Sequence, residues 1–570
     1  MAAFSKLPEM LGLTKCTECE GDYTEAEGEE STKCAECVES EPFAKRFTKC
    51  AALVPLRPLW PGFTYFPHQE VGIRWMLDKE EIGTIVDDVV VRGGFQCDDM
   101  GLGKTIQITA TMVNRPVKET LLVAPLAMLD TWIGVLQRAG MGVHTVKGNA
   151  WVKLSGGGVP RHFIKMRPQV FVCNYEKLVR PSLFSRSWGR VVLDEAHKIR
   201  SATGKAAVAA GRIVAPVRWA VTGTPLVNSL NDVVSLLAFV GVPFAKPLAK
   251  KSLWERRFNT LFPQLTLHRT LDSIRSVVQG APPVPVVHEE VLPFVTEEED
   301  DFYHGVQGEN EEGRYAKYAS EYLSPVEMFK LLLRLRQLSV HPQVYINAKR
   351  REGPYDREDW VGATTKLERL AEIIMADATP CRPPQGGLEG LTPCRPPQGG
   401  LEGGLETANQ TPAESSTPCR PPQGGLHKYI VFCQFTEEMS LIREFLLRRG
   451  LADDQNILLY HGGMTQSERA AVLAHSKKST DTTVLLLQLQ AGGVGLNLQE
   501  YDRIVFMSPW WTSALMDQAI ARAVRMGQSE VVHVYHLRLA SENTKTINID
   551  SLVNAKADEK RKMLNRLFSL

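Results

Sequence analysis

The chain is expected to fold as an α/β protein with two parallel-sheet lobes, an N-terminal zinc-binding module and a disordered insert. Three observations carry this expectation. Short β-branched runs alternate with helical patterns in two separate stretches, at about 60–245 and 429–550, as when parallel strands are joined by covering helices. Four cysteines near the N-terminus fall as two Cys-x-x-Cys knuckles, a spacing that suits tetrahedral thiolate coordination. Between the two alternating stretches, the unit Thr-Pro-Cys-Arg-Pro-Pro-Gln-Gly-Gly-Leu begins at Thr379, Thr392 and Thr417. Its prolines and glycines allow no helix or ladder to continue.

Composition permits this architecture and narrows the partners. The 570 residues suffice for about three or four domains of roughly 150 residues each. Hydrophobic residues make up 44% and charged residues 23%, as in ordinary soluble proteins. The net charge is +1, so contact with nucleic acid must come from local patches rather than a global field. No apolar run reaches the roughly 18–20 residues that cross a bilayer, and the first residues lack the apolar core of a signal peptide. The reading is an intracellular, reducing compartment with no membrane partner.

Residues 1–55 form the expected zinc module, with Cys16, Cys19, Cys34 and Cys37 as Zn²⁺ ligands; unligated thiols are the alternative. Glu20, Asp22, Glu25, Glu27, Glu29 and Glu30 lie between the knuckles. Phosphates repel such a loop, so the module is expected to bind a protein partner or cap the fold. Cys97, Cys173 and Cys433 sit in apolar runs and read as core residues.

Residues 56–275 form the first lobe and contain a nucleotide site. In Cys-Asp98-Asp-Met100-Gly101-Leu102-Gly103-Lys104-Thr105, the glycines let several backbone N–H groups turn toward one anion, at the start of a helix. Lys104 would reach the β- and γ-phosphates, and the Thr105 hydroxyl would ligate Mg²⁺. Asp98 stands where phosphate loops usually have their first glycine. A second apolar run ends in Val-Val-Leu-Asp194-Glu195-Ala-His197. Here Asp194 would hold Mg²⁺, Glu195 would orient or deprotonate water, and His197 would relay to Thr222 or Thr224. A core histidine is the alternative for His197. ATP and Mg²⁺ are the implied cofactors.

Residues 276–360 read as a more helical region, including the acidic run Glu297–Asp301. The second lobe covers 361–555, with the insert at 379–426 and a tail at 556–570. The insert is expected to be disordered, with a docking site for a proline-recognising module as the alternative. Gln518, Arg522 and Arg525 are spaced i, i+4, i+7 and would share one helix face. Two guanidiniums and an amide there suit the γ-phosphate of a nucleotide held by the opposite lobe. Without a phosphate loop they would read as a solvated basic face.

With these motifs in order, residues 60 to 550 resemble the Swi/Snf-related ATPases of helicase superfamily two. The likeness is to the branch of helicase-like transcription factors and transcription-termination translocases. Phe66-Pro-His-Gln69, Leu121–Trp132, Asn174-Tyr175-Glu176, Thr222–Asn228, Leu335–Pro342, Phe432–Thr436, Ala491–Leu498 and Ser508-Pro-Trp510-Trp511 carry the resemblance. It implies two RecA-like lobes, with Gln69 reading the adenine edge and the segment before Trp132 touching the DNA backbone. It also implies an ATP-dependent double-stranded DNA translocase of the nucleus, acting on nucleosomes or other DNA-bound proteins or in repair. A strand-separating helicase and a non-catalytic adaptor are the alternatives. For Trp132 and Trp511, packing competes with DNA contact. The chain departs from the family at Gln488-Leu-Gln490, Val524, Ser508, Thr512, His268 and Leu271, which bears on DNA stimulation and partner contacts rather than on the phosphate machinery. No RING-type cysteine and histidine array lies between the lobes, so ubiquitin-ligase activity is not carried over.

Overall fold

A computed structural model describes residues 55–154, 168–227, 231–243, 251–275, 278, 280–309, 324–378, 427–492, 496–540 and 547–568. The four knuckle cysteines, the three repeats and Asn228 lie outside the described residues.

The first lobe is built on a nine-stranded sheet. Its strands are β1 Thr84–Val86, β2 Val89–Gln96, β3 Glu119–Val123, β4 Gly142–Lys147, β5 Ala150–Lys153, β6 Gln169–Cys173, β7 Arg190–Asp194, β8 Val217–Val221 and β9 Thr266–Leu267. Their order is β1-β2-β8-β7-β3-β6-β4-β5, with β9 against β2. Pairing is parallel from β2 through β4 and antiparallel only where β1 and β5 close the edges. Alternate side chains serve two cores. Leu121, Val123, Val191 and Leu193 face one layer, while Leu122, Val192, Val170 and Val172 face the other. Burial on both faces explains why these strands read as continuous apolar runs.

The second lobe has a six-stranded, wholly parallel sheet of β10 Val286–Leu292, β11 Lys428–Cys433, β12 Ile457–Tyr460, β13 Thr483–Gln488, β14 Arg503–Phe506 and β15 His533–Leu539. Its order is β10-β15-β14-β11-β13-β12. In both lobes the motif residues follow the carboxyl ends of central strands, where parallel sheets place ligands.

Two boundaries fall elsewhere than the sequence suggests. β10 belongs to the stretch read as helical, yet it pairs with β15 along its whole length, because the valines of Val286-Val287-His288-Glu289-Glu290-Val291 favour extended backbone. The division at 555/556 cuts through one helix, Ile549–Phe568. Leu564, Leu567 and Phe568, at helical spacing, carry that helix into the apolar core of the first lobe.

Candidate nucleotide site

The phosphate loop is shaped by two glycines with positive φ, Gly101 at 87° and Gly103 at 78°, and the helix Lys104–Asn114 starts directly after them. Glycine suits 103 because its φ lies in the left-handed region, and a Cβ there would also displace the Gln69 amide. Gln69 is buried; it accepts the Phe66 N–H at 3.2 Å and donates toward the Leu102 carbonyl at 3.5 Å. The His68 ring nitrogen, 3.1 Å away, shares that carbonyl. The Leu102 side chain is buried against Ile274 and Val278, so Leu102 bears on the site through the loop backbone, while the Met100 Cγ lies 3.9 Å from where a Gly223 Cβ would stand. Lys104 Nζ donates to the Asp98 and Asp99 carbonyls at 2.6 and 3.1 Å. A Cβ added at Gly223, in the Thr222-Gly-Thr-Pro turn, would lie 3.7 Å from the same ammonium.

Asp98 sits differently from a phosphate ligand. Its carboxylate is fully buried and receives Arg269 Nε at 2.8 Å, Gln96 Nε2 at 2.9 Å and Gln107 Nε2 at 3.0 Å, with the Arg269 Nη2 as a further donor. Burial raises its pKa, but these partners more than offset it and hold the carboxyl below its usual range. Where other phosphate loops have a glycine, Asp98 therefore anchors the loop from beneath. Arg269 and Gln107 were not singled out in the sequence. Arg269 lies 171 positions from Asp98, and no local pattern joins them.

At the end of β7, Asp194 Oδ2 accepts the Trp132 indole N–H at 2.7 Å and Oδ1 accepts the Glu195 N–H at 3.0 Å. The Tyr175 hydroxyl donates to the Asp194 carbonyl at 2.7 Å. Trp132, weighed as a DNA contact, is completely buried. Glu195 takes a left-handed backbone with φ 51°, a conformation that costs a residue with a Cβ about 1–3 kcal/mol. It turns the carboxylate toward His197, whose Nδ1 lies 3.3 Å from Glu195 Oε2 and 3.2 Å from Thr222 Oγ1. Thr222 Oγ1 in turn accepts the Thr224 N–H at 3.1 Å. Burial, then the neighbouring Glu195 charge, raise the Asp194 pKa. Burial also raises that of Glu195, but His197, Lys104 and Arg522 outweigh it and keep the carboxylate charged.

The second lobe closes the site. Arg522 is buried and feels the charges of Glu195 and Asp194 across the lobes. Desolvation pulls its guanidinium down to about 10. Arg525 lies over the phosphate loop, with its Cβ 3.5 Å from where a Gly101 Cβ would stand. The single helix face expected for Gln518, Arg522 and Arg525 is not what positions them. The helix Ser513–Ile520 ends before either arginine. Backbone capture ends it: the Leu498 N–H donates to the Arg522 carbonyl at 3.1 Å and Arg525 Nη1 to the Leu496 carbonyl at 3.3 Å. Gln518 is buried on the last helical turn, and the arginines project from the turns beyond it.

Three of the departures from the family pattern, Gln488, Ser508 and His268, have local partners. Gln488 Oε1 accepts the Gly462 N–H at 3.0 Å. Ser508 accepts from buried Lys366 at 2.9 Å, whose counter-charge, Asp550 at 2.7 Å, comes from the C-terminal helix. His268 stacks on Phe568, ring centroids 3.5 Å apart. Trp510 and Trp511 lie 4.6 and 5.9 Å from the Arg336 guanidinium, a cation–π arrangement within the second lobe.

The residues present fit a magnesium nucleotide. A loop of two positive-φ glycines stands at a helix start, Lys104 follows it, and the adjacent Asp194 and Glu195 carboxylates both feel the lysine's charge. Lys104 and Thr105 open the helix, and Asp194 would hold the metal with Thr105. Bound Mg²⁺ supplies charge neutralisation on the phosphate oxygens.

Two lobes that close such a site between them define a nucleotide-hydrolysing motor core. An SNF2-related domain matches residues 68–344, and a helicase conserved C-terminal domain matches residues 423–527. The chain belongs to the SNF2-related helicase-like ATPases. It is 26% identical over 524 residues to the "Probable global transactivator" of Orgyia pseudotsugata multicapsid polyhedrosis virus, covering 88% of this chain and 91% of that one. To helicase-like transcription factor of Homo sapiens it is 25% identical over 500 residues, covering 74% of this chain but 48% of the relative. The chain thus spans about half the length of that second relative. Among solved structures, the Sulfolobus solfataricus SWI2/SNF2 ATPase core in complex with dsDNA aligns at 19% identity over 90% of this chain and 95% of that one. The TM-score is 0.35, too low to compare their geometry.

Proposed function

We propose that this ATPase is an ATP- and Mg²⁺-dependent double-stranded DNA translocase. It remodels chromatin or other protein–DNA complexes, or acts in DNA repair, without needing to separate strands. One observation carries this reading: Arg525 of the second lobe lies over the phosphate loop of the first, its Cβ 3.5 Å from where a Gly101 Cβ would stand, and Arg522 on the same segment feels the charges of Glu195 and Asp194. Hydrolysis and lobe closure are then one event. Glu195, kept charged by its neighbours, takes a proton from the attacking water as the γ-phosphoryl group is displaced from ADP. Lys104 and Arg522 stabilise the charge that spreads over the phosphoryl oxygens. Loss of the γ-phosphate removes what Arg522 grips, the lobes separate, and DNA held across both is advanced by one cycle.

The relatives' printed names, a probable global transactivator and a helicase-like transcription factor, support a target in DNA transactions, and the nucleus is the proposed place of action. Grip on the phosphate backbone makes binding salt-sensitive and largely independent of sequence. Nucleosomes or other DNA-bound proteins are the proposed substrates of remodelling. Cys16, Cys19, Cys34 and Cys37 are proposed to hold one structural Zn²⁺, with their acidic loop facing a protein partner; one equivalent of zinc per chain, lost in the four-serine variant, is the expected metal content.

The test is ATP hydrolysis by the purified protein alone and with duplex DNA, single-stranded DNA or RNA, beside Glu195→Gln. Stimulation by duplex DNA that the variant abolishes is expected. A preference for single strands or RNA would replace the translocase with an unwinding helicase.

A further inference from the structure

We infer that Trp132 is a positioning residue for the magnesium-binding carboxylate, and that it ties metal affinity to the helix Leu129–Arg138. Three features converge on its indole. The ring is fully buried in the apolar layer with Ile108, Leu122 and Leu136, so its direction is set by packing and not by solvent. Its only N–H points at Asp194 Oδ2, 2.7 Å away. The other Asp194 oxygen is taken by the Glu195 N–H at 3.0 Å, so the indole and one backbone amide together determine how the carboxylate is rotated. Partners of this kind orient a metal ligand and typically contribute about 10–100-fold to metal affinity.

The helix that carries the indole is also exposed to events elsewhere. It follows directly on the turn Leu126–Met128, where the Leu126 side chain is 69% exposed. Two positions before Trp132, the Asp130 carboxylate accepts a hydrogen bond of 3.1 Å from Gln466 of the second lobe. Anything that shifts the start of this helix shifts the indole and with it Asp194 Oδ2. A movement of the second lobe at Asp130 therefore reaches Asp194 through this helix and its indole.

The inference rests on Asp194 holding Mg²⁺, so the experiment includes that residue as its own control. The affinity of a fluorescent ADP analogue is measured with the full chain across a Mg²⁺ titration and in EDTA. Four proteins are compared: wild type, Trp132→Phe, Val170→Ala and Asp194→Asn. Trp132→Phe keeps the ring and loses the N–H. It is expected to need about 10-fold more Mg²⁺ for half-maximal tightening, with affinity in EDTA unchanged. Val170→Ala loosens the same layer from β6, off that helix and without touching the hydrogen bond, and is expected to keep the wild-type Mg²⁺ midpoint. Should Trp132→Phe not fold, Trp132→Met carries the same comparison. An unshifted midpoint in the Trp132 variant, or an equal shift in Val170→Ala, overturns the positioning role while leaving the metal assignment standing. An unshifted midpoint in Asp194→Asn overturns the metal assignment itself, and the inference with it.

Discussion

Beneath the phosphate loop, Asp98 and Arg269 form a buried ion pair further held by Gln96 and Gln107. Desolvating both charges offsets much of their attraction, so the pair's worth lies less in net stability than in the cost of breaking it. Arg269→Ala leaves a fully buried carboxylate without its cation, and unfolding by urea is expected to show a loss of about 3–5 kcal/mol. Arg269→Lys, lacking the two-pronged guanidinium, is expected to recover only part of it. At the reacting centre, Arg522→Ala is expected to lower kcat by about 10³-fold or more with nucleotide affinity nearly unchanged, because the arginine acts on charge that develops during transfer. The direction of the Asp194 shift makes a further claim. Its carboxyl is raised by burial and by Glu195, so as acid is added it loses its charge earlier than an ordinary aspartate. Protons and Mg²⁺ compete for that charge. The acid limb of the kcat/KM profile should therefore move to lower pH as Mg²⁺ is increased; a limb that stays in place at two Mg²⁺ concentrations would refute the assignment. The same raised carboxyl destabilises the metal-free fold at high pH, and that cost disappears as pH falls below the ordinary value of 3.8.

Elements are joined by contacts that protect the sheets from what is inserted between them. The helix Thr365–Ala378 and β11 flank residues 379–426, and their facing ends are fastened together. Asp377 accepts from the Tyr429 hydroxyl at 2.8 Å and from Arg503 Nε at 2.8 Å, while His427 Nδ1 lies 2.5 Å from Asp502. Loop length adds only about 0.6 kcal/mol per doubling to the entropy of closure, so a fastened neck tolerates a long insert. Replacing 379–426 by a short Gly/Ser linker is expected to leave the thermal midpoint and ATPase rate within about twofold of wild type. Asp377→Ala, by contrast, strips two partners of their acceptor and is expected to cost about 1–3 kcal/mol, read from denaturant unfolding.

Across the molecule, the helix Ile549–Phe568 connects the two lobes. Its start is secured in the second lobe, where Asp550 binds Lys366 at 2.7 Å, Ser339 at 2.6 Å and the Leu539 N–H at 3.0 Å. Its end lies in the first, with Leu567 buried and Phe568 stacked on His268 and near Phe262. A helix fixed at both ends limits how far the lobes separate. Leu567→Ala with Phe568→Ala removes apolar area worth about 1.5–3 kcal/mol per fully buried side chain. Single-molecule distances between labels on the two lobes are expected to broaden in this variant, with the ATPase motifs untouched. An unchanged distribution would mean that the helix does not restrain them.

Much of this could be read from the residues alone. Apolar runs such as Leu121-Leu-Val and Val191-Val-Leu announce buried parallel strands, because alternate side chains there must satisfy two cores. The glycines of the phosphate loop and the Asp194-Glu195 pair are legible for a related reason: short-range backbone geometry and local charge fix what they can do. Other features were out of reach. The Arg269 partner of Asp98, the indole on Asp194, the turn that ends the helix before Arg522 and the return of Leu567 and Phe568 to the first lobe all join residues distant in the chain. No periodicity records such pairings; burial decides them, by leaving a charge, an N–H or an aromatic ring without water and requiring whatever the fold brings near to satisfy it. Local pattern determined the lobes and their phosphate chemistry. The tertiary structure alone decided how that chemistry is held in place and how the lobes are tied.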